Sequence, residues 1–313
     1  MFILNCSEDF QLTEPYKDFS VVFGFLNRTD TAQYIRVEKL FVDEDIPATV
    51  LAQRVDSVYY KNAIVKLRNI TRNTEFTLKK VDMLSEGYTR DLGPFAEMPN
   101  YMYKILTKDM NLMSGDSVEF QLIRGDNKPI VRARIQMVKD FNMRNPPKEI
   151  RELSFKPGFT QAFSWDKSPE AGIYDLDIRI NLSEFDRSTN TTKAKIIIWK
   201  VLKDDFRNNI SISNNDFYTI LKNNLEEDVK YERKLQSIDL IVSAGGTDLK
   251  SFNLLVNANI GITASQEIPR YTNLSEGFGI FSSIHRLKNT YGVTAETLTS
   301  IDTSSLTRLL NIK

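Results

Sequence analysis

One cysteine and one histidine bound the chemistry open to these 313 residues. Cys6 is the single thiol, and a thiolate is a good nucleophile. A single thiol forms neither an intrachain disulfide framework nor a cysteine-rich zinc site. His285 is the only imidazole, so a multi-histidine metal site is not available, and no Ser-His-Asp set can be assigned around it. Asp175 and Asp177 alternate along a strand-like segment and point to one side. Paired carboxylates can do acid–base work or hold calcium, but an exposed strand face is the plainer reading. Arg124-Gly125-Asp126 spells an adhesion tripeptide inside a predicted hairpin turn, where glycine and aspartate are expected anyway. Ala244-Gly245-Gly246-Thr247-Asp248 precedes a predicted helix. Glycines there can hold a phosphate, yet the lysine-serine pair of a P-loop is missing. The expectation is a chain with no catalytic set, no metal and no cofactor.

The thiol has a different use if its neighbours are read with it. Phe2, Ile3 and Leu4 look like the end of an apolar signal region, and Leu4-Asn5-Cys6 is similar to a bacterial lipobox. In that motif a diacylglycerol thioether forms on the cysteine and the peptide is cut before it. Met1 is then an internal or misannotated start, or a truncation, because a full signal needs a basic start and an apolar stretch of roughly 7–15 residues. Ser7, Glu8 and Asp9 resemble the surface-export signal of Bacteroidota lipoproteins. Residues 1–20 read as lipobox remnant and tether, with Pro15 in a polar run.

The remainder must form the body that the tether carries. Hydrophobic residues make up 41%, enough to bury a core. Lys plus Arg equals Asp plus Glu at 41 each, so bulk charge draws the chain to neither nucleic acid nor an anionic bilayer. No apolar run approaches the roughly 20 residues of a membrane-crossing helix. "SVVFGFLNRTDTAQYIRVEKLFV" alternates with period two around a polar turn and predicts a hairpin. Further strands are predicted on either side of Thr71-Arg72-Asn73 and through residues 101–138, with "SEGYTRDLGPFAEMPN" a long loop. These make an N-terminal β-sandwich over residues 21–145. Pro146-Pro147 stiffens a linker, and residues 146–313 make a second β-sandwich with helical insertions. There Trp165 lies on one strand, and Tyr174, Leu176, Ile178 and Ile180 share a face of the next. "KAKIIIWKVLK" predicts a strand buried on both faces near Ile196 to Ile198. Helices are predicted over "SNNDFYTILKNNLEED", capped at Asn214 or Asn215, and "TDLKSFNLLVNAN". The last forty residues read as loop-rich. The fold class is mainly β, with two immunoglobulin- or fibronectin-III-like sandwich domains.

"RYTNLSEGFGIFSSI" resembles the "TN(I/L)..G.GIF" signature of uncharacterised Bacteroidota outer-membrane lipoproteins, carried here by Thr272, Asn273, Gly277, Gly279, Ile280 and Phe281. The first hairpin is similar to that of the same family. The resemblance implies an anchored, strand-rich protein with partners at the outer membrane, and implies no reaction. By itself the glycine-phenylalanine alternation suits close backbone approach and packing. The functional expectation is a non-enzymatic, surface-exposed outer-membrane lipoprotein, lipidated at Cys6, that docks as an accessory subunit on a β-barrel complex for nutrient import, secretion or barrel assembly. The alternative is a surface glycan- or ligand-binding lipoprotein. Tyr88, Tyr101 and Tyr103 cluster around the Gly/Pro loop and are candidate contacts in either case.

Overall fold

The computed structural model describes residues 17–42, 46–258 and 271–313. Its strands in chain order are β1 (Lys17–Asn27), β2 (Ala32–Val42), β3 (Ile64–Asn69), β4 (Thr74–Thr77), β5 (Lys79–Asp82), β6 (Tyr101–Leu106), β7 (Ser117–Ile123), β8 (Val131–Gln136), β9 (Met143–Asn145), β10 (Glu152–Leu153), β11 (Thr160–Trp165), β12 (Ala171–Asp186), β13 (Thr191–Asp205), β14 (Asn209–Ser213), β15 (Tyr231–Gly246) and β16 (Phe278–Val293). The helices are α1 (Ala48–Leu51), α2 (Val55–Val58), α3 (Thr107–Met110), α4 (Asn214–Asn224), α5 (Thr247–Ala258) and α6 (Ala295–Thr303). The fold is mainly β.

One long sheet runs β13-β12-β15-β16-β1-β2-β6-β5, with β10 beside β16. Two smaller sheets, β4-β3-β7-β8 and β14-β11-β9, lie in the second layer. Burial alternation along the strands explains the layering. Val22, Leu26, Ile35 and Val37 of the long sheet share a core with Val65, Leu67, Phe120 and Leu122 of the first small sheet. Leu176, Ile178, Ile180 and Leu240 share another with Phe163 and Trp165, closed by Phe217 and Leu221 of α4 and Ile301 of α6. Trp165 is fully buried, its ring 5.7 Å from that of Tyr174.

β16 belongs to both cores. It pairs parallel with β1 and antiparallel with β15. On its inward face Phe281 enters the first core and Tyr291 the second. Between them the Ser283 hydroxyl donates to Gln136 O (2.8 Å) and accepts from Val138 N–H (3.1 Å), where the chain passes from one core to the other. The sheet is therefore continuous across residue 145.

Three expectations change. The last forty residues are not loop-rich: β16 is a sixteen-residue strand near the middle of the long sheet, followed by α6. Its inward face alternates Phe281, Ser283, His285, Leu287, Asn289 and Tyr291, and polar side chains at buried junction positions conceal the period. Ile196 and Ile198 are not buried, because β13 is an edge strand whose outward face meets solvent; only Ile197 turns into the core. The N-cap of α4 is Ser213, whose hydroxyl accepts from Asn215 N–H at 3.3 Å, one position before the predicted caps.

Candidate interaction site

Two loops join at the β5 end of the long sheet. The first carries α1 and α2; the second, residues 83–100, follows β5. Asp82 closes the ends of the second: its carboxylate accepts from Leu84 N–H (3.1 Å) and Asn100 N–H (3.3 Å), and Met83 N–H donates to Asn100 O (2.9 Å). Gly87, at φ +87°, ends the short 3₁₀ turn there.

An ion cluster pins the loops to β2. Glu38, largely buried, accepts from Arg36 at 2.9 Å and from Arg90 at 2.7 Å. Arg36 also donates to Asn100 Oδ1 at 3.0 Å, and Arg90 donates to the Tyr59 hydroxyl at 3.2 Å. The Arg90 guanidinium lies 4.6 Å from the centre of the Phe95 ring. Ala96 N–H donates to Ala52 O, so the two loops touch. Burial pushes the Tyr59 phenol above its ordinary range, against the opposing pull of Arg90.

This clamped cap exposes apolar side chains among polar ones. Leu92 is 88% exposed, Met98 61% and Tyr88 58%, with Val50, Val55 and Leu84 also open to solvent. Exposed apolar side chains are ordinary when scattered; several on two adjoining loops form the kind of surface a partner covers.

The tyrosines of this region separate. Tyr88 is exposed, its ring 6.5 Å from that of Tyr34. Tyr34 donates to Glu86 at 2.9 Å, and Glu86 also pairs with Lys104; these two partners hold the Glu86 carboxyl below its ordinary range. Tyr101 is half-buried under Lys80, whose ammonium stands 4.5 Å from the ring centre. Tyr103 is buried in the first core, and burial pushes its phenol up to about 12. Sequence reasoning missed Arg90, Glu38, Leu92 and Met98. The available signal was Leu92, Phe95 and Met98, large apolar residues inside a loop otherwise rich in Gly, Pro and polar residues.

Elsewhere the singled-out residues that the structure describes make backbone and core contacts. Asn273 clamps the backbone of Phe281, donating to its carbonyl (2.6 Å) and accepting from its N–H (3.0 Å). The Thr272 hydroxyl accepts from Leu274 N–H at 3.2 Å. Gly277 and Gly279 have φ +96° and +101°, and a Cβ would stand 2.2 Å from Ser20 O and 2.0 Å from Val22 O. Ile280 is buried on the opposite face from Phe281. Arg124 is buried, with Nε donating to Asp126 at 3.0 Å, so the tripeptide does not present its guanidinium. At Gly245 a Cβ would meet Leu249 of α5, so that turn serves helix packing. Asp175 accepts from Asp204 N–H at 2.7 Å, and burial raises the carboxyls of Asp175 and Asp177. Cys6, Ser7, Glu8 and Asp9 lie outside the described residues. Among the described residues no three His, Cys, Asp or Glu side chains gather to hold a metal, and no helix is long and apolar enough to cross a membrane. Compared with protein-family models and with curated proteins, the chain matches neither a family nor a relative.

Proposed function

We propose that this protein is a non-enzymatic lipoprotein of the outer-membrane surface, anchored through Cys6, that docks as an accessory subunit on a β-barrel complex. The observation that carries the docking is the cap: apolar side chains held outward on loops that Glu38, Arg36 and Arg90 fix in place. Such fixing lowers the ordering cost of association. The anchor rests on the residues around Cys6, and the likeness to Bacteroidota lipoproteins on the segment from Thr272 to Phe281. The finer reading of the layers as immunoglobulin- or fibronectin-like sandwiches belongs to the same proposal, supported by Trp165 packed across to Tyr174.

The test is affinity purification of the natively expressed protein from detergent-solubilised membranes. The wild type is expected to bring down a β-barrel protein. Replacing Leu92 and Met98 together by Asp is expected to lose it without loss of fold. A wild type that captures no barrel sinks the proposal. A glycan-binding reading rests on Tyr88 alone, since Tyr103 is buried and Tyr101 lies beneath Lys80.

A further inference from the structure

β16 has a gap along one edge. β1 pairs with it as far as Asn27 opposite Ile284, and β10 takes over at Glu152 opposite Gly292. Between those points, among the described residues, β15 alone pairs with β16. The backbone groups that face the gap follow from alternation, because the N–H and C=O of every second residue share one edge of a strand. Gly292 N–H donates to Arg151 O (2.8 Å) and Thr294 N–H to Leu153 O (3.0 Å), so the even positions here face β10. Phe281, at an odd position, pairs both of its groups with Asn273 instead. Lys288 and Thr290 therefore turn N–H and C=O into the gap, where no described residue meets them.

A cavity of about 370 Å³ lies along this stretch. β16 lines one side of it, from Leu287 to Tyr291, and the chain between Asn142 and Arg151 lines the other. That second wall is fixed: Met143 pairs with Trp165 of β11, and Ile150 N–H donates to Pro147 O at 3.1 Å. Three cations, Lys148, Arg151 and Lys288, line the cavity, and no acidic residue does. Lys288 pairs with Asp239 at 3.0 Å. The side chains of Lys148 and Arg151 have no acidic partner among the described residues. Glu152 turns over Gly292, its Cγ 3.3 Å from the place a Cβ would take there, and stays outside the cavity.

Two features select the occupant. Open donors and acceptors alternate along the edge, which matches another extended backbone. A free anion would take the N–H groups and leave the carbonyls unmatched. Lys148 and Arg151 favour carboxylates on that backbone, since charge-assisted hydrogen bonds are the stronger ones. We infer that the gap is a binding slot for an acidic extended peptide, added as a strand along Lys288 and Thr290 between the end of β1 and the start of β10. This goes beyond the docking proposal and does not rest on it.

Amide hydrogen exchange of the full chain, read by NMR, tests the slot. The probe is the blocked peptide Val-Glu-Val-Glu-Val at millimolar concentration. It is expected to slow exchange at Lys288 and Thr290 by about tenfold or more, while its counterpart with lysine in place of glutamate and inorganic phosphate alone do not. Lys148→Glu with Arg151→Glu is expected to raise the dissociation constant of the acidic peptide by about tenfold or more. Both side chains are exposed, so the circular dichroism stays unchanged. An acidic peptide that leaves the two amides unprotected overturns the inference. So does equal protection by phosphate, which would make this an anion pocket, or equal binding of the lysine peptide. Full protection of both amides in the free protein overturns it too, because the chain would then cover its own edge.

Discussion

Gly279 shows how one residue can hold two strands in register. Its Cα takes the place a side chain would need, because Val22 O lies where the Cβ would stand. Gly279→Ala adds both a backbone clash and a strained φ, and is expected to destabilise by about 2–4 kcal/mol. Gly93→Ala meets nothing within 4 Å and is expected to change stability by about 0.5 kcal/mol or less. Urea denaturation of the two variants checks both. His285 supplies a pH dependence. Its ring packs edge-on to Phe141, with Arg28 3.4 Å from Nδ1 and Asp140 3.4 Å from Nε2. Burial, then Arg28, pushes the imidazole below its ordinary 6.5, and Asp140 opposes only in part. The unfolded chain thus takes up this proton before the folded one. The contribution is fully present above pH 6.5 and is lost as pH falls through the depressed folded value. The urea midpoint is expected to fall over that window in the wild type and to fall less in His285→Asn.

At the scale of elements, β16 carries the account. Phe281 fills the first core beside Phe120, ring centres 5.5 Å apart, and Tyr291 is buried in the second. Phe281→Ala is expected to cost about 3–5 kcal/mol through the cavity it leaves, measured as a shift in denaturation midpoint with unchanged slope. This element was also the hardest to read in the sequence. The hairpin of β1 and β2 declares itself by alternating Ile35 and Val37 with Tyr34 and Arg36. Trp165 and the face from Tyr174 to Ile180 do the same for β11 and β12, because one side of each strand meets an apolar layer. β16 crosses a junction where Ser283 serves hydrogen bonds and the buried inward position 285 holds a polar imidazole against Phe141, so its period vanishes in a single sequence. The three isoleucines of β13 misled in the opposite sense. An apolar run reads as a two-sided strand unless it is known that one of its faces has no layer over it, and that is set by distant packing.

The whole molecule joins two cores by one sheet, with β16 as a wall of both. A chain built this way is expected to unfold in one cooperative transition. Val22→Ala in the first core and Leu240→Ala in the second should shift the same midpoint, each by about 2–4 kcal/mol, with near- and far-ultraviolet dichroism coinciding. Two separated transitions would mean that the shared strand does not couple the halves. The cap follows the same logic of distance. Arg90 and Glu38 are 52 positions apart in the chain, so the clamp that turns Leu92 and Met98 outward could not be read from the loop itself. The tyrosines around it and the large apolar residues within it marked the region, but not the clamp.

The measurement that tests the anchored-lipoprotein claim most directly is mass spectrometry of the N-terminus, on protein expressed from its native locus with the upstream codons intact. The account predicts a mature chain that begins at Cys6 and carries a diacylglycerol thioether. An unmodified N-terminus at Met1, with Cys6 a free thiol, would contradict it and remove the reason to look for a partner at the outer membrane.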